Sequence, residues 1–260
     1  MNPMGVAMTP EQYAQEWATS ATNFEASADY AWMAGCLPAR NLTVEIGCGN
    51  GMSTLALAAS SPAVISVDIN DHMIAAASAR VTAAGIPTSA VDVRDFPLKA
   101  GTGRNVQFLL ANIMDPALDA AVEPGSVDAI AVWFIGASPG VIAEILETDI
   151  PSLSREDMPR YRELIQERCV DLAKRWLCRG GIVHITDRGV IGSWQDKDHF
   201  RSEYAEQYQN FAGQDFTVTR SDVMLRRLSH VGNSQIQHVA PSVAAGGGVL
   251  VATSIMIRKK

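Results

Sequence analysis

The segment LTVEIGCGNGMSTLALAAS, residues 42–60, constrains this chain more than any other. A short apolar run ends in Glu45-Ile46-Gly47-Cys48-Gly49-Asn50-Gly51 and passes into alanine-rich sequence. That order predicts a strand, a glycine turn and a helix in direct succession. Glycines at such a junction permit positive φ and let a ligand approach the backbone without meeting a Cβ. A dinucleotide turn needs G-x-G-x-x-G; here the spacing is G-x-G-x-G, and Met52 and Ser53 stand where the next small residue belongs. Glu45 would repel a diphosphate, yet it suits a ligand bearing an ammonium or sulfonium group.

The run AVISVDI, residues 63–69, predicts a second strand that ends at Asp68, 23 residues after Glu45. An ionised carboxylate there offers acceptors to both hydroxyls of a ribose. Together these features read as a site for a nucleoside whose attached group is cationic and carries no phosphate. Further strands are expected at 106–110, 127–135 and 182–186, and two late ones at 216–225 and 248–257. The stretch 88–105 reads as a loop or an extra short strand. Thr9, Pro10 and Gln12 have the pattern of a capped helix start, and helix-prone sequence then runs to about Cys36. Ser154 heads a long helix in which Met158, Tyr161, Ile165, Cys169, Leu172 and Trp176 share a face. Another helix is expected at 199–211, and a Gly/Ser/Ala-rich loop at 229–247. Strands alternating with helices imply a parallel sheet covered on both faces, with a ligand crevice at the carboxyl ends of the strands.

The series VEIGCGNGMSTLALA, SVDINDHMIAAASAR, NVQFLLANIMD, GSVDAIAVWFIG and LAKRWLCRGGIVHITD resembles the successive motifs of class I S-adenosylmethionine-dependent methyltransferases. The resemblance covers residues 42–190, and the two late strands stand where that family has its final antiparallel pair. It implies a Rossmann-like, open seven-stranded α/β sheet, mostly parallel with an antiparallel C-terminal strand, helices on both faces and a helical N-terminal cap. The expected organisation is a cap at 1–41 and a methyltransferase domain at 42–260. The resemblance gives Glu45, Gly47, Cys48, Gly49 and Gly51 to the turn around the methionine and ribose portions of S-adenosylmethionine. It gives Asp68 to the ribose hydroxyls, Ile69 to packing on the adenine, and Asn112 and Ile113 to the adenine's flanks. The family often has aspartate where Asn112 stands; an amide oxygen still accepts a hydrogen bond. Val132, Trp133 and Phe134 would lie near the methyl group, where an aromatic face attracts a sulfonium; Trp133 reads equally as a core tryptophan. The implied reaction is in-line displacement at the methyl carbon, releasing S-adenosylhomocysteine.

Net charge −7 disfavours a nucleic acid partner. The fourth strand runs into WFIG, unlike the D/N-P-P-Y/F sequence of amino-directed DNA methyltransferases, and a Pro-Cys nucleophile is absent there. No apolar run is long enough for a membrane span, the first residues do not read as a secretory signal, and Cys36, Cys48, Cys169 and Cys178 lack disulfide or metal spacing. A cytoplasmic enzyme acting on oxygen or nitrogen of a small molecule is the expectation, with a homodimer compatible with the sequence. The acceptor pocket is expected from the N-terminal aromatics, residues 138–156 and residues 194–211. Alternatives are another reaction of the same cofactor, a non-catalytic cofactor-binding subunit, a protein or peptide acceptor, and a nicotinamide dehydrogenase. His184 reads as a core histidine, His199 and Asp187 as weak base candidates, and His184, His230 and His238 match no metal-ligand spacing. No catalytic residue and no metal site is assigned.

Overall fold

Thr9 opens the first helix through a reciprocal capping box: its hydroxyl accepts from the Gln12 amide at 3.2 Å, and the Gln12 side chain accepts from the Thr9 amide at 2.9 Å. In the computed structural model, residues 8–99, 103–154, 156–229 and 248–260 are described. Helix α1 (Pro10–Ala26) and helix α2 (Asp29–Cys36) replace the single helical run expected to Cys36. The break falls at Ala28, whose φ is +56°, because Asp29 is turned inward to an ion pair with Arg226 at 2.8 Å. A buried aspartate needs such a partner.

Strand β1 (Leu42–Ile46), helix α3 (Met52–Ser60), strand β2 (Ala63–Asp68) and helix α4 (Asp71–Ala83) follow as the motif spacing predicts. The stretch 88–105 contributes strand β3 (Thr88–Val91), which adds to the outer edge of strand β4 (Asn105–Leu110). Strand β5 (Val127–Trp133), helix α5 (Pro139–Ile145), helix α6 (Asp157–Trp176) and strand β6 (Leu177–Ile191) continue the alternation. Helix α7 (Lys197–Ala212) then precedes strands β7 (Phe216–Thr217), β8 (Val223–Arg227) and β9 (Val249–Lys259).

The sheet order is β3-β4-β2-β1-β5-β6-β9-β7, with β8 also paired to β9. Strands β1 to β6 run parallel, and β9 runs antiparallel to β6, β7 and β8. Nine strands therefore stand where seven were expected. The edge strand β3 is one addition. The other is a division of residues 216–225, where Asp222 accepts from the Thr219 hydroxyl and amide and turns the chain between β7 and β8. The expected glycine-rich loop at 229–247, with His230 and His238, lies outside the described residues except for Ser229.

Side-chain alternation sorts β1 between two cores. Leu42, Val44 and Ile46 join the core under α5, α6 and α7, which includes Ile142, Tyr161, Ile165 and Trp176. On the other face Phe24, Tyr30, Met33, Leu57 and Ala77 bring α1 to α4 onto the sheet. The residues before β1 thus share a core with the sheet. Burial near completion on both faces explains why the central strands read as continuous apolar runs.

Candidate functional site

At the carboxyl ends of β1, β2, β4 and β5 lies a two-lobed cleft. One lobe is lined by Tyr13, Trp17, Gly49, Asn70 and Phe134, among others. The second is lined by Ala111, Asn112, Ile113 and Tyr161, among others. The lobes share Gly47, Asp68, Ile69, Ile135, Gly136 and Val141. The cleft thus forms where β1 and its neighbours diverge, the position that a parallel sheet offers a ligand.

Asp68 is its central polar group. One carboxylate oxygen accepts from the Gly49 amide at 3.0 Å and the other from the Asn70 amide at 2.9 Å. Ionised, it keeps lone pairs for further donors. Burial pushes its carboxyl up to about 6, while those amides pull in the opposite direction. Asn70 holds the roof down: its side-chain amide donates to the Pro10 carbonyl at 2.9 Å, tying the start of α1 to the end of β2.

The glycines divide in role. A Cβ on Gly49 would stand 2.6 Å from Trp17 Nε1, so its absence lets the α1 indole close over the turn. A Cβ on Gly51 would lie 2.7 Å from the Ala77 Cα, so that glycine lets α3 approach α4. Gly51 does not line the cleft.

Glu45 and Cys48 also stay out of the cleft lining. The Glu45 carboxylate turns into the α3 side, where one oxygen accepts from Thr54 Oγ1 at 2.6 Å and from Ser66 Oγ at 2.7 Å. Its other oxygen is buried without a partner. Burial raises its pKa, while the hydroxyls of Ser53, Ser66 and Thr54 oppose the rise. In this arrangement Glu45 braces the turn from beneath rather than facing a cationic ligand. Cys48 is a buried thiol whose pKa is raised by burial.

Among the remaining expected residues, Ile69 lines both lobes, and Asn112 and Ile113 line the second. The Asn112 side-chain oxygen already accepts from the Met114 amide at 2.9 Å, which fixes the turn after β4. Trp133 faces away from the cleft into the α1–α4 core, and its indole donates to His184 Nδ1 at 3.0 Å. His184 Nε2 stands 2.7 Å from Ser254 Oγ. Since Nδ1 accepts, Nε2 carries the proton and donates to Ser254. Burial pushes the His184 pKa down to about 3, so this ring is a neutral core group with both nitrogens engaged. Val132 packs in the opposite core. His199 is exposed, with Nε2 3.1 Å from Glu203. Among the described residues no three His, Cys, Asp or Glu side chains gather as a metal site.

The resemblance puts Val132, Trp133 and Phe134 near the methyl group; of those three, Phe134 alone lines the cleft. Phe134 adopts φ +50° while its amide donates to the Thr186 carbonyl at 2.8 Å. An aromatic residue rarely holds this left-handed conformation. It ends β5 early and swings Ile135, Gly136, Ala137 and Ser138 across the cleft. Tyr13 and Ser138 fall in segments expected to build the acceptor pocket, whereas Ile135, Gly136 and Ala137 carry no local signal beyond the unbroken WFIGAS at the end of an apolar strand.

Residues 44–123 match the model of a methyltransferase domain. Solved structures with the same kind of fold include a protein assigned as a methyltransferase from Bacillus halodurans C-125. It is 10% identical with a TM-score of 0.50, over 90% of this chain and 99% of that one. The chain is also similar to the N-methyltransferase NodS from Bradyrhizobium japonicum WM9, solved with S-adenosyl-L-homocysteine. That likeness is 12% identity over 90% and 86% of the two chains, TM-score 0.47. An rRNA methylase from Streptococcus thermophilus is 19% identical over 91% and 96%, TM-score 0.41. No curated protein sequence matches. Among the described residues no helix is long and apolar enough to cross a membrane.

Proposed function

We propose that the two-lobed cleft binds S-adenosylmethionine and that the chain transfers its methyl group to an oxygen or nitrogen of a small-molecule acceptor. The observation that carries this reading is Asp68 at the cleft's floor, fixed by the Gly49 and Asn70 amides beside a turn that a Cβ would obstruct. The residues fit the cofactor: a ribose finds the Asp68 carboxylate, an adenine finds the apolar walls of Ile69, Ile113 and Ile165, and Gly47 leaves the β1 end open. When bound, the cofactor supplies a methyl carbon made electrophilic by the adjoining sulfonium.

The chain's own part is positioning and exclusion of water. Trp17 and Tyr13 roof the first lobe, and Phe134 offers it an aromatic wall. Burial raises the Tyr13 pKa, which suits a hydroxyl that donates a hydrogen bond and keeps its proton. His184 is engaged in the core and does not serve as a general base, so the arrangement favours an acceptor that is already nucleophilic. Net charge −7 supports a small acceptor over a nucleic acid, and free Cys36, Cys48, Cys169 and Cys178 suit a reducing cytoplasm.

Incubating the purified protein with methyl-deuterated S-adenosylmethionine and a small-molecule cell extract tests the reading. The expected result is a deuterated methyl mass increment on an extract component together with S-adenosylhomocysteine. Consumption of the cofactor without any methylated species contradicts it.

A further inference from the structure

Beyond the cleft, a cavity of about 380 Å³ opens between α6, α7 and the end of β6, with Arg162, Gln166, Asp187, Arg188, Tyr204 and Tyr208 in its wall. It adjoins the cleft: Arg162 Nε donates to the carbonyl of Ile135, a residue that lines both lobes, at 3.2 Å. Tyr13, in the first lobe, feels the charges of Asp68, Arg188 and Arg162 together. The two arginines are incompletely used. Arg162 is nine-tenths buried and pairs with Asp187 through Nη1 at 3.1 Å, but its Nη2 is buried with no partner. The Arg188 guanidinium makes no hydrogen bond among the described residues. Its carbon stacks 5.5 Å from the Phe24 ring centroid and 5.6 Å from that of Phe134, and its Nε is buried without an acceptor.

Resting on the methyltransferase reading above, we propose that this cavity seats the methyl acceptor and that the acceptor carries a carboxylate held by Arg162 and Arg188. In the wall Asp187 pairs with Arg162 and Glu163 is exposed at the rim, while among the described residues the Arg188 guanidinium has no carboxylate partner, a charge that a monoanion neutralises and a phosphate dianion exceeds. Guanidinium forks match planar carboxylates. Holding Arg188 on two rings fixes it without consuming its donors. Burial pulls the Arg188 pKa down to about 10, and neighbouring Arg162 adds to the fall; the group is still cationic at neutral pH. Tyr204, Tyr208 and Phe211 give the cavity an aromatic side, so benzoate is a suitable probe.

Affinity for S-adenosylhomocysteine is measured first, and benzoate, benzamide and inorganic phosphate are then titrated into the protein with and without it. Benzoate is expected to bind more tightly than benzamide and phosphate. Arg188→Gln should weaken benzoate about tenfold, the effect of losing one charge-assisted partner, and Arg188→Lys should recover part of the loss. Equal binding of benzoate and benzamide, no benzoate binding, preference for phosphate, or an unchanged Arg188→Gln variant overturns the proposal. Because the cofactor product is titrated separately, benzoate binding without S-adenosylhomocysteine binding defeats the methyltransferase reading while leaving the anion site standing.

Discussion

At the ends of β1 and β2 the cleft is built largely from backbone. Gly47 and Gly49 leave it open, and the Gly49 and Asn70 amides fix its one carboxylate. At the ends of β5 and β6 side chains form the walls: Phe134 in a left-handed conformation, Arg162 reaching from α6, and Arg188 stacked on two rings. The first construction depends on the absence of Cβ atoms and on a single acid, so it suits an invariant ligand portion. The second depends on what each side chain presents, so it can be altered without dismantling the turn. On the reading proposed above, the backbone side would serve the cofactor and the side-chain side the acceptor.

The strongest way to break that division is Gly49→Val. Its Cβ would collide with the Trp17 indole at a φ of +50°. S-adenosylhomocysteine binding should fall below detection, with an expected loss of more than about 3 kcal/mol from strain and lost roof closure, while circular dichroism retains the native spectrum. Normal binding by this variant would put the ligand elsewhere. Asp68→Ala comes next, with binding weakened by about 1–3 kcal/mol, the range for hydrogen bonds to a charged group; calorimetry reads this directly, and unchanged affinity removes Asp68 from the site.

Asp68 also gives the comparison a pH dependence. Its carboxyl is pushed up to about 6 by burial, so the ionised acceptor is present above that value and is protonated below it. Wild-type affinity for S-adenosylhomocysteine should be level from neutral to mildly alkaline pH and decline as pH falls through about 6; Asp68→Asn should abolish the decline. The stability linkage has the opposite sense. A folded pKa above the ordinary 3.8 means that this group's contribution to stability is complete below 3.8 and lost as pH rises through about 6.

The smallest effect on binding is expected for Trp133→Phe. Removing the indole donor leaves His184 Nδ1 buried without its 3.0 Å partner, which should lower folding stability by about 1–3 kcal/mol in denaturant titrations. Affinity for S-adenosylhomocysteine should not change, because Trp133 does not line the cleft. A parallel fall in affinity would move the ligand toward the α1–α4 core.

These regions also differ in how far the sequence disclosed them. Gly47, Gly49 and Asp68 lie at a strand end and a turn, where local spacing dictates backbone shape and the acid's position; they converge on the cleft. The same spacing did not separate Gly49 from Gly51, because the latter's close neighbour, Ala77, is supplied by α4. The inward turn of Glu45 depends on Thr54 and Ser66 meeting it from α3 and β2. At β5, periodicity gave a strand through residue 135, but the left-handed Phe134 stops it at Trp133 and creates the lining that follows. Arg162 comes from a helix and pairs with Asp187, while Arg188 comes from a strand and rests on the Phe24 and Phe134 rings; tertiary packing alone brings both to one cavity, and no local pattern encodes their meeting.

Calorimetric titration of the purified protein with S-adenosylhomocysteine, with NAD as the control, tests the central claim most directly. The account predicts saturable binding of S-adenosylhomocysteine at one site and no heat from NAD. Binding of NAD, or no binding of S-adenosylhomocysteine by the folded protein, contradicts it.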